Sequence, residues 1–324
     1  GSPPMTSAVD KPVIDVVAGV IRRPSGEVLL ARRKPGGELG GLWEFPGGKL
    51  ESGEAVETAL ERELREELGI RVLAAQPLIS VRHAYETLAV RLHIHRVLAW
   101  EGEPEPLERQ PLQWVPEDRL DDWPMPAADR PVLKAIALPE HYLITPPDQD
   151  DPEAVLNGLE AGLLAGMRLV QLRLPQMAVA ELRETASAAL EMGRRYGARV
   201  LLNGDPALAL ELGLDGIHMR AEQLRTGSAG TLPESMWVGA SCHDADELAR
   251  AFALGCDFAC LSPVKPTRSH RQAHPLGWRG FRELASGAGL PVYALGGLEP
   301  ADADQARANG GQGTAGITGF WPGF

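Results

Sequence analysis

The chain has 324 residues, more than one ordinary compact domain holds unless it is a large barrel, so two domains are expected. With 32 basic and 44 acidic residues its formal net charge is −12, which argues against direct binding to DNA or RNA and leaves free nucleotides as the plainer nucleic-acid substrate. No stretch is apolar for the ~20 residues of a membrane span, and no basic-then-apolar leader opens the sequence, so no membrane partner is expected.

Cys242, Cys256 and Cys260 make neither a paired framework nor a zinc-ligand spacing, which fits a reducing, cytoplasmic setting and three small buried side chains. The opening GSPPM, with Gly1 and Ser2 ahead of a methionine, reads as an added tag, and residues 1–12 are expected outside the fold.

The first domain opens with two β-rich runs, VIDVVAGVI and EVLLARR, around the turn-like RRPSGE, a pattern that predicts a hairpin. A Gly-rich loop leads into a helix, followed by LISVRHAY and the alternating strand TLAVRLHIHRVLAW. A Pro-rich acidic stretch and a short helix, VLKAIA, end a mixed α+β domain near Leu138. From residue 139 onward the pattern changes. HYLIT, LVQLRL, RVLLNG, GIHM, WVGASC, FACLSP, PVYALGG and GTAGIT are eight short β-rich runs separated by helical segments, as a (β/α)8 TIM barrel requires. Such a barrel over residues 139–324 needs short helices.

The helix of the first domain holds an oddity. Val56, Leu60, Leu64 and Leu68 form an apolar arc at helical spacing, and Glu63 and Glu67 fall inside or beside it. A surface helix laced by Glu61/Arg65 and Arg62/Glu66 pairs is the plain reading, but it leaves those two glutamates unexplained. A carboxylate on a packed face is costly unless something positive neutralises it, and Glu63, Glu66 and Glu67 have the spacing to converge on a hard divalent cation.

Gly48, five residues, Glu54, seven residues, then Arg62-Glu63-Leu64-x-Glu66-Glu67-x-Gly69-Ile70 is similar to the Nudix box, with no departure at any defined position. The resemblance implies an α/β/α Nudix sandwich over residues 1–138 and pyrophosphate hydrolysis with Mg²⁺ or Mn²⁺. It makes Glu63, Glu66 and Glu67 metal ligands, Arg62 the residue that orients a carboxylate, and Glu54 a support for loop or helix. Gly47 would lie beside the metal and Gly48 beside the substrate, since glycine lets the backbone approach both.

LLARR, WEFPGGK, WEGEP and PAADRPVL lie in the order and spacing of the MutT-type 8-oxo-dGTP diphosphatases, a likeness that covers residues 13–138. It implies Arg33 and Phe45 near the nucleotide pocket and Glu108 as a candidate base, against the alternative of a solvated loop carboxylate. Where these proteins present asparagine to the purine edge, this chain has Asp129, which when ionised only accepts hydrogen bonds. A nucleoside triphosphate is the implied substrate, with its base less defined than the reaction.

HYLITP, LVQLRL, ALALELGLDGIHM, the run from Val238 to Val264, PLGWRGFRELA and PVYALGG resemble the thiamine phosphate synthase and TenI family. That likeness implies a phosphate cup from Gly296, Gly297 and the GIT segment ending in Thr318, with a helix N-terminus, and His243 as an acid/base candidate. Tight turns and a polar strand end are the plainer alternatives. Leu174 and Pro175 stand where the synthases carry Glu-Lys, Gly204 where they carry the Mg²⁺-binding Asp, Arg220, Ala221 and Gln223 where they carry Gly-Gln and a later acid, and His270 where they carry a pyrophosphate-binding lysine. The barrel is therefore expected to have lost synthase activity and to keep a phosphate-ester ligand. The rival expectation is a thiamine-pathway protein whose barrel is a thiazole tautomerase or ligand sensor and whose Nudix site cleaves a thiamine-related pyrophosphate.

Overall fold

The computed structural model describes residues 11–227, 232–268, 272 and 274–323, so the expected tag at residues 1–10 and the position of His270 lie outside the described residues. Backbone proximity divides the chain into two units, Gly1–Leu133 and Lys134–Phe324. Lys11 and Pro12, expected in the tail, are instead tied in: Lys11 Nζ donates to the Tyr85 carbonyl at 2.7 Å and the Ala89 amide to the Pro12 carbonyl at 3.0 Å.

The first unit contains Val13–Ile21 (β1), Glu27–Arg32 (β2), Trp43–Glu44 (β3), Gly47–Lys49 (β4), the helix Val56–Leu68 (α1), Arg71–Ala84 (β5), Ala89–Glu101 (β6) and Leu112–Pro116 (β7). Short 3-10 turns at Glu117–Asp122 and Ala127–Asp129 lead into Arg130–Ala137 (α2). One sheet has the order β4-β1-β6-β5 and a second the order β3-β2-β7. β1 runs parallel to β6 and antiparallel to β4, so both of its edges are taken. The expected β1–β2 hairpin consequently shrinks to a single bridge, Arg22 to Val28, after which β2 leaves for the other sheet. Pro77, which has no N–H to give a ladder, sits in the edge strand β5 beside register shifts.

The apolar arc of α1 is real. Ala59, Leu60, Leu64 and Leu68 are fully buried in a core with Val17, Ile21, Leu29 and Ile70. Gly69 ends the helix in a left-handed conformation, φ 70°, with its amide bonded to the Arg65 carbonyl.

In the second unit, His141–Ile144 (β8), Leu169–Leu172 (β9), Arg199–Leu202 (β10), Gly216–Met219 (β11), Trp237–Cys242 (β12), Phe258–Leu261 (β13), Val292–Leu295 (β14) and Gly313–Gly316 (β15) are parallel and close into a barrel. These are the eight runs read from the sequence. Between them lie Pro152–Leu164 (α3), Val179–Tyr196 (α4), Pro206–Leu212 (α5), Ala221–Thr226 (α6), Ala245–Ala253 (α7), Gly277–Ala285 (α8) and Ala303–Ala308 (α9). The small chain length is met by α5, α6 and α9, of 7, 6 and 6 residues. Asp151, Asp205 and Asp244 cap α3, α5 and α7 by accepting a backbone amide each, which fixes where strand turns to helix.

Tyr142, Phe258 and Tyr293 fill the barrel with ring centroids 5.3–5.6 Å apart. His218, fully buried and pushed down to about 3 by that burial, is neutral there; its Nδ1 lies 3.0 Å from the Tyr142 hydroxyl and its Nε2 2.8 Å from Ser241 Oγ. The three cysteines are free and buried, and burial raises all three thiols. Among the described residues no helix is long and apolar enough to cross a membrane.

Leu64 is 0 % exposed, so Leu64→Ala should lower the stability of the first unit by ~2–5 kcal/mol, read as a shift in its chemical-denaturation midpoint.

Candidate active site

The amphipathic helix α1 and the strand β4 bring the box residues together. Arg62 Nε and Nη2 grip the two Glu54 oxygens at 2.8 and 2.9 Å, while Nη1 bonds Glu63 Oε1 at 2.8 Å and Glu66 Oε2 at 3.3 Å. The same guanidinium donates to the Lys49 carbonyl at 3.0 Å, tying the loop to the helix. This bidentate grip holds Glu54 down at about 2. Glu54 also accepts the Glu51 amide at 3.1 Å, so it closes the loop turn as well.

Glu67 accepts the Gly47 amide at 3.0 Å. Its carboxyl is pushed up to about 8, first by burial, then by Glu108, Glu44 and Glu63. Glu63 is raised too, because burial outweighs the pull of Arg62. A Cβ on Gly48 would stand 2.3–2.6 Å from the Glu63 carboxylate, so glycine is what leaves room for that group.

Glu108 reaches this cluster through a docked loop. The Glu105 and Leu107 amides bond the Leu68 and Glu67 carbonyls at 3.0 and 3.1 Å, satisfying the open end of α1. Gln110, 8 % exposed, donates to the Glu67 carbonyl at 3.2 Å and accepts the Glu108 amide at 3.0 Å. Between them Arg109 takes a left-handed φ of 61°, uncommon for a residue with a side chain. Gln110 has no signature in the sequence; its role comes from a contact with a helix end 43 positions away.

A second missed residue is Glu44. It lies next to Phe45 on β3, forms an ion pair with Arg33 at 2.9 Å, and is raised by burial despite that partner. Its charge is felt by both Glu67 and Asp129, so it links the box to the residue expected at the base. Asp129 is 5 % exposed, and none of the described residues hydrogen-bonds its carboxyl. Burial, and next Glu44, push it up to about 8. Phe45 is 2 % exposed and packs inside.

The donor set suits a hard divalent cation: several carboxylates, half-buried and mutually repelling, with the Arg62 guanidinium as the cation bonded to them. Among the described residues no three such groups already stand close enough to form a finished cage, as expected of like charges held apart with Glu66 exposed.

In the barrel, His243 Nδ1 lies 3.2 Å from Glu247 Oε1, whose side chain is 4 % exposed. Asn203 Nδ2 donates to Gln171 Oε1 at 2.9 Å, and Thr145 Oγ1 bonds the Arg173 backbone at both its amide and carbonyl. Gly296 and Gly297 have positive φ, and a Cβ on either would strike the segment Pro263–Pro266 at 2.7–2.9 Å; the Gly296 carbonyl accepts the Lys265 amide. The Gly296–Gly297 turn leads into a 3-10 turn, Pro300–Asp302, and then α9, whereas Ile317–Trp321 after the last strand makes a turn, with Thr318 exposed. Gly204 brings no carboxylate, and Asp205 beside it is used as a helix cap. Gln223 closes the α6 cap, and Leu174 is 3 % exposed.

The NUDIX domain family profile matches residues 17–135, and that of the thiamine monophosphate synthase family matches residues 141–320. The 8-oxo-dGTP diphosphatase of Haemophilus influenzae is 36% identical over 136 residues, 42% of this chain and all of that protein (100%). The CTP pyrophosphohydrolase of Escherichia coli is 38% identical over 123 residues, 38% of this chain and 90% of its own length. A putative thiamine-phosphate synthase of Geobacter sulfurreducens is 36% identical over 176 residues, 54% of this chain and 83% of that one. With the box geometry in its first unit and the closed parallel barrel in its second, the chain belongs to two families at once, the Nudix hydrolases and the thiamine monophosphate synthase family.

Proposed function

We propose that the first unit is a Mg²⁺-dependent pyrophosphohydrolase that converts an oxidised nucleoside triphosphate, 8-oxo-dGTP foremost, to its monophosphate and pyrophosphate. The observation that carries this reading is the excess of carboxylate on and beside α1, Glu63 and Glu67 half-buried with Glu66 and Glu108 exposed next to them, against the single bonded cation Arg62. Relatives named for 8-oxo-dGTP and for CTP support a nucleoside triphosphate and offer two base classes. Glu63, Glu66 and Glu67, with the Gly47 backbone, are the groups that would hold the metal. When bound, a divalent cation would screen the phosphate oxygens and acidify the attacking water. Arg62 keeps Glu63 facing the Gly48 cradle, the Gly47 amide fixes Glu67, and Glu108 stands beside Glu67 to take the proton of that water.

The barrel reads as a phosphate-ester binder without synthase activity. Expelling pyrophosphate needs a metal and cationic side chains at the leaving oxygens, and Pro175 stands at the family's lysine while Gly204 and Gln223 stand at its acids. One observation favours a second activity there: a buried carboxylate, Glu247, orients His243, as an acid/base imidazole requires.

Glu67→Gln should preserve folding and cut nucleotide hydrolysis by more than ~100-fold at saturating Mg²⁺, since outer-shell losses alone reach that size; wild-type turnover would sink the ligand role. The barrel should yield no thiamine phosphate above background from the pyrimidine pyrophosphate and thiazole phosphate. Turnover of a thiazole phosphate tautomer that vanishes in His243→Ala would promote the isomerase reading.

A further inference from the structure

Glu108 is placed by its backbone. Among the described residues no side chain bonds its carboxylate, and its charge is felt by Glu67 and Glu63 on α1. What fixes that backbone is one buried amide two residues on. Gln110 is 8 % exposed; its Oε1 accepts the Glu108 N–H at 3.0 Å and its Nε2 donates to the Glu67 carbonyl at 3.2 Å. The two ends of one side chain are thus spent on the residue read as the base and on a residue read as a metal ligand. The Glu67 carbonyl also accepts the Leu107 amide at 3.1 Å, so both of its lone pairs go to the same loop.

Gln110 is itself held from the other side. The Pro111 carbonyl, next in the chain, accepts the Arg32 amide at 3.0 Å, and Leu112 then pairs with Ala31 where β7 begins. Between Glu108 and Gln110, Arg109 has φ 61°, with its amide bonded to the Pro106 carbonyl at 3.0 Å. A residue with a side chain stays in that region only where its surroundings over-determine it, and here the turn on one side and the Gln110 bridge on the other do so.

We propose that Gln110 is a positioning residue for Glu108: its amide bridges the base to the last turn of α1 and so sets the distance between proton acceptor and metal carboxylates. This rests on the hydrolase reading above. A general base must lie within hydrogen-bond reach of the proton it takes, so geometry comes before basicity. The residues expected around the nucleotide, Arg33 and Phe45, follow β2 and β3 and have no bond to this loop. Gln110 accordingly acts on kcat and leaves KM alone. The bridge needs a donor and an acceptor on one side chain of this length, which glutamine has, ionised glutamate has only in part, and methionine lacks.

The test uses the full chain at saturating Mg²⁺ with 8-oxo-dGTP as the probe substrate. Gln110→Met, similar in length but unable to bridge, should lower kcat ~10-fold or more at unchanged KM, within the ~10²–10⁴-fold that a general base contributes. Gln110→Glu, which keeps the acceptor for the Glu108 amide and loses the donor to Glu67, should lose less. The deciding readout is a double-mutant cycle with Glu108→Gln. Once the base is gone there is nothing left to position, so Gln110→Met should cost no further kcat in that background, whereas a merely structural role costs the same in both. Additive losses, a loss confined to KM, wild-type kcat in either Gln110 variant, or wild-type kcat in Glu108→Gln alone overturns the proposal. Failure of the wild-type chain to hydrolyse any nucleoside triphosphate sinks the hydrolase reading and this one with it; hydrolysis with an additive cycle sinks only the role of Gln110.

Discussion

One guanidinium organises the first unit's chemistry. Arg62 binds both oxygens of Glu54, one each of Glu63 and Glu66, and a loop carbonyl, so a single side chain fastens the Gly-rich loop to the helix and offsets part of the charge gathered there. Carboxylates on the packed side of a helix are tolerable only with such a partner. The helix that carries them is anchored by the leucines beside them, and the missing side chain of Gly48 leaves a recess for Glu63. Remove the fork and the remaining groups repel one another in a half-buried setting.

The two units handle charge in opposite ways. The Nudix unit gathers more carboxyl groups than its one bonded guanidinium can pair, a set that a divalent cation would draw together. The barrel is furnished with neutral pairs, Asn203 with Gln171 and Thr145 with the Arg173 backbone, while Asp205 caps a helix and Glu247 pairs with His243. Neutral pairs fix a shape; they do little to stabilise a departing pyrophosphate.

Local patterns made much of this legible in the sequence. The helical spacing of Leu60, Leu64 and Leu68 exposed Glu63 and Glu67 as misfits, and the eight β-rich runs between helical segments foretold the barrel strands. What stayed hidden depends on distant pairing. Glu44 reaches Arg33 only because Ala31 and Glu44 face each other across β2 and β3, and Gln110 matters only because its loop lands on the end of α1. The β1–β2 hairpin failed for the same kind of reason, since β4 and β6 had claimed both edges of β1. Nor could the sequence tell that Asp129 would be sealed away from a cation's hydrogen bond.

The loop that carries Glu108 is fastened at Glu105, Leu107 and Gln110 to carbonyls of α1. Ordering a free backbone residue forfeits ~1–2 kcal/mol of conformational entropy, and here that loss is taken during folding rather than at each encounter with ligand. Turnover in this unit consequently does not wait on closure of this segment, and the rate-limiting motion, if there is one, belongs elsewhere.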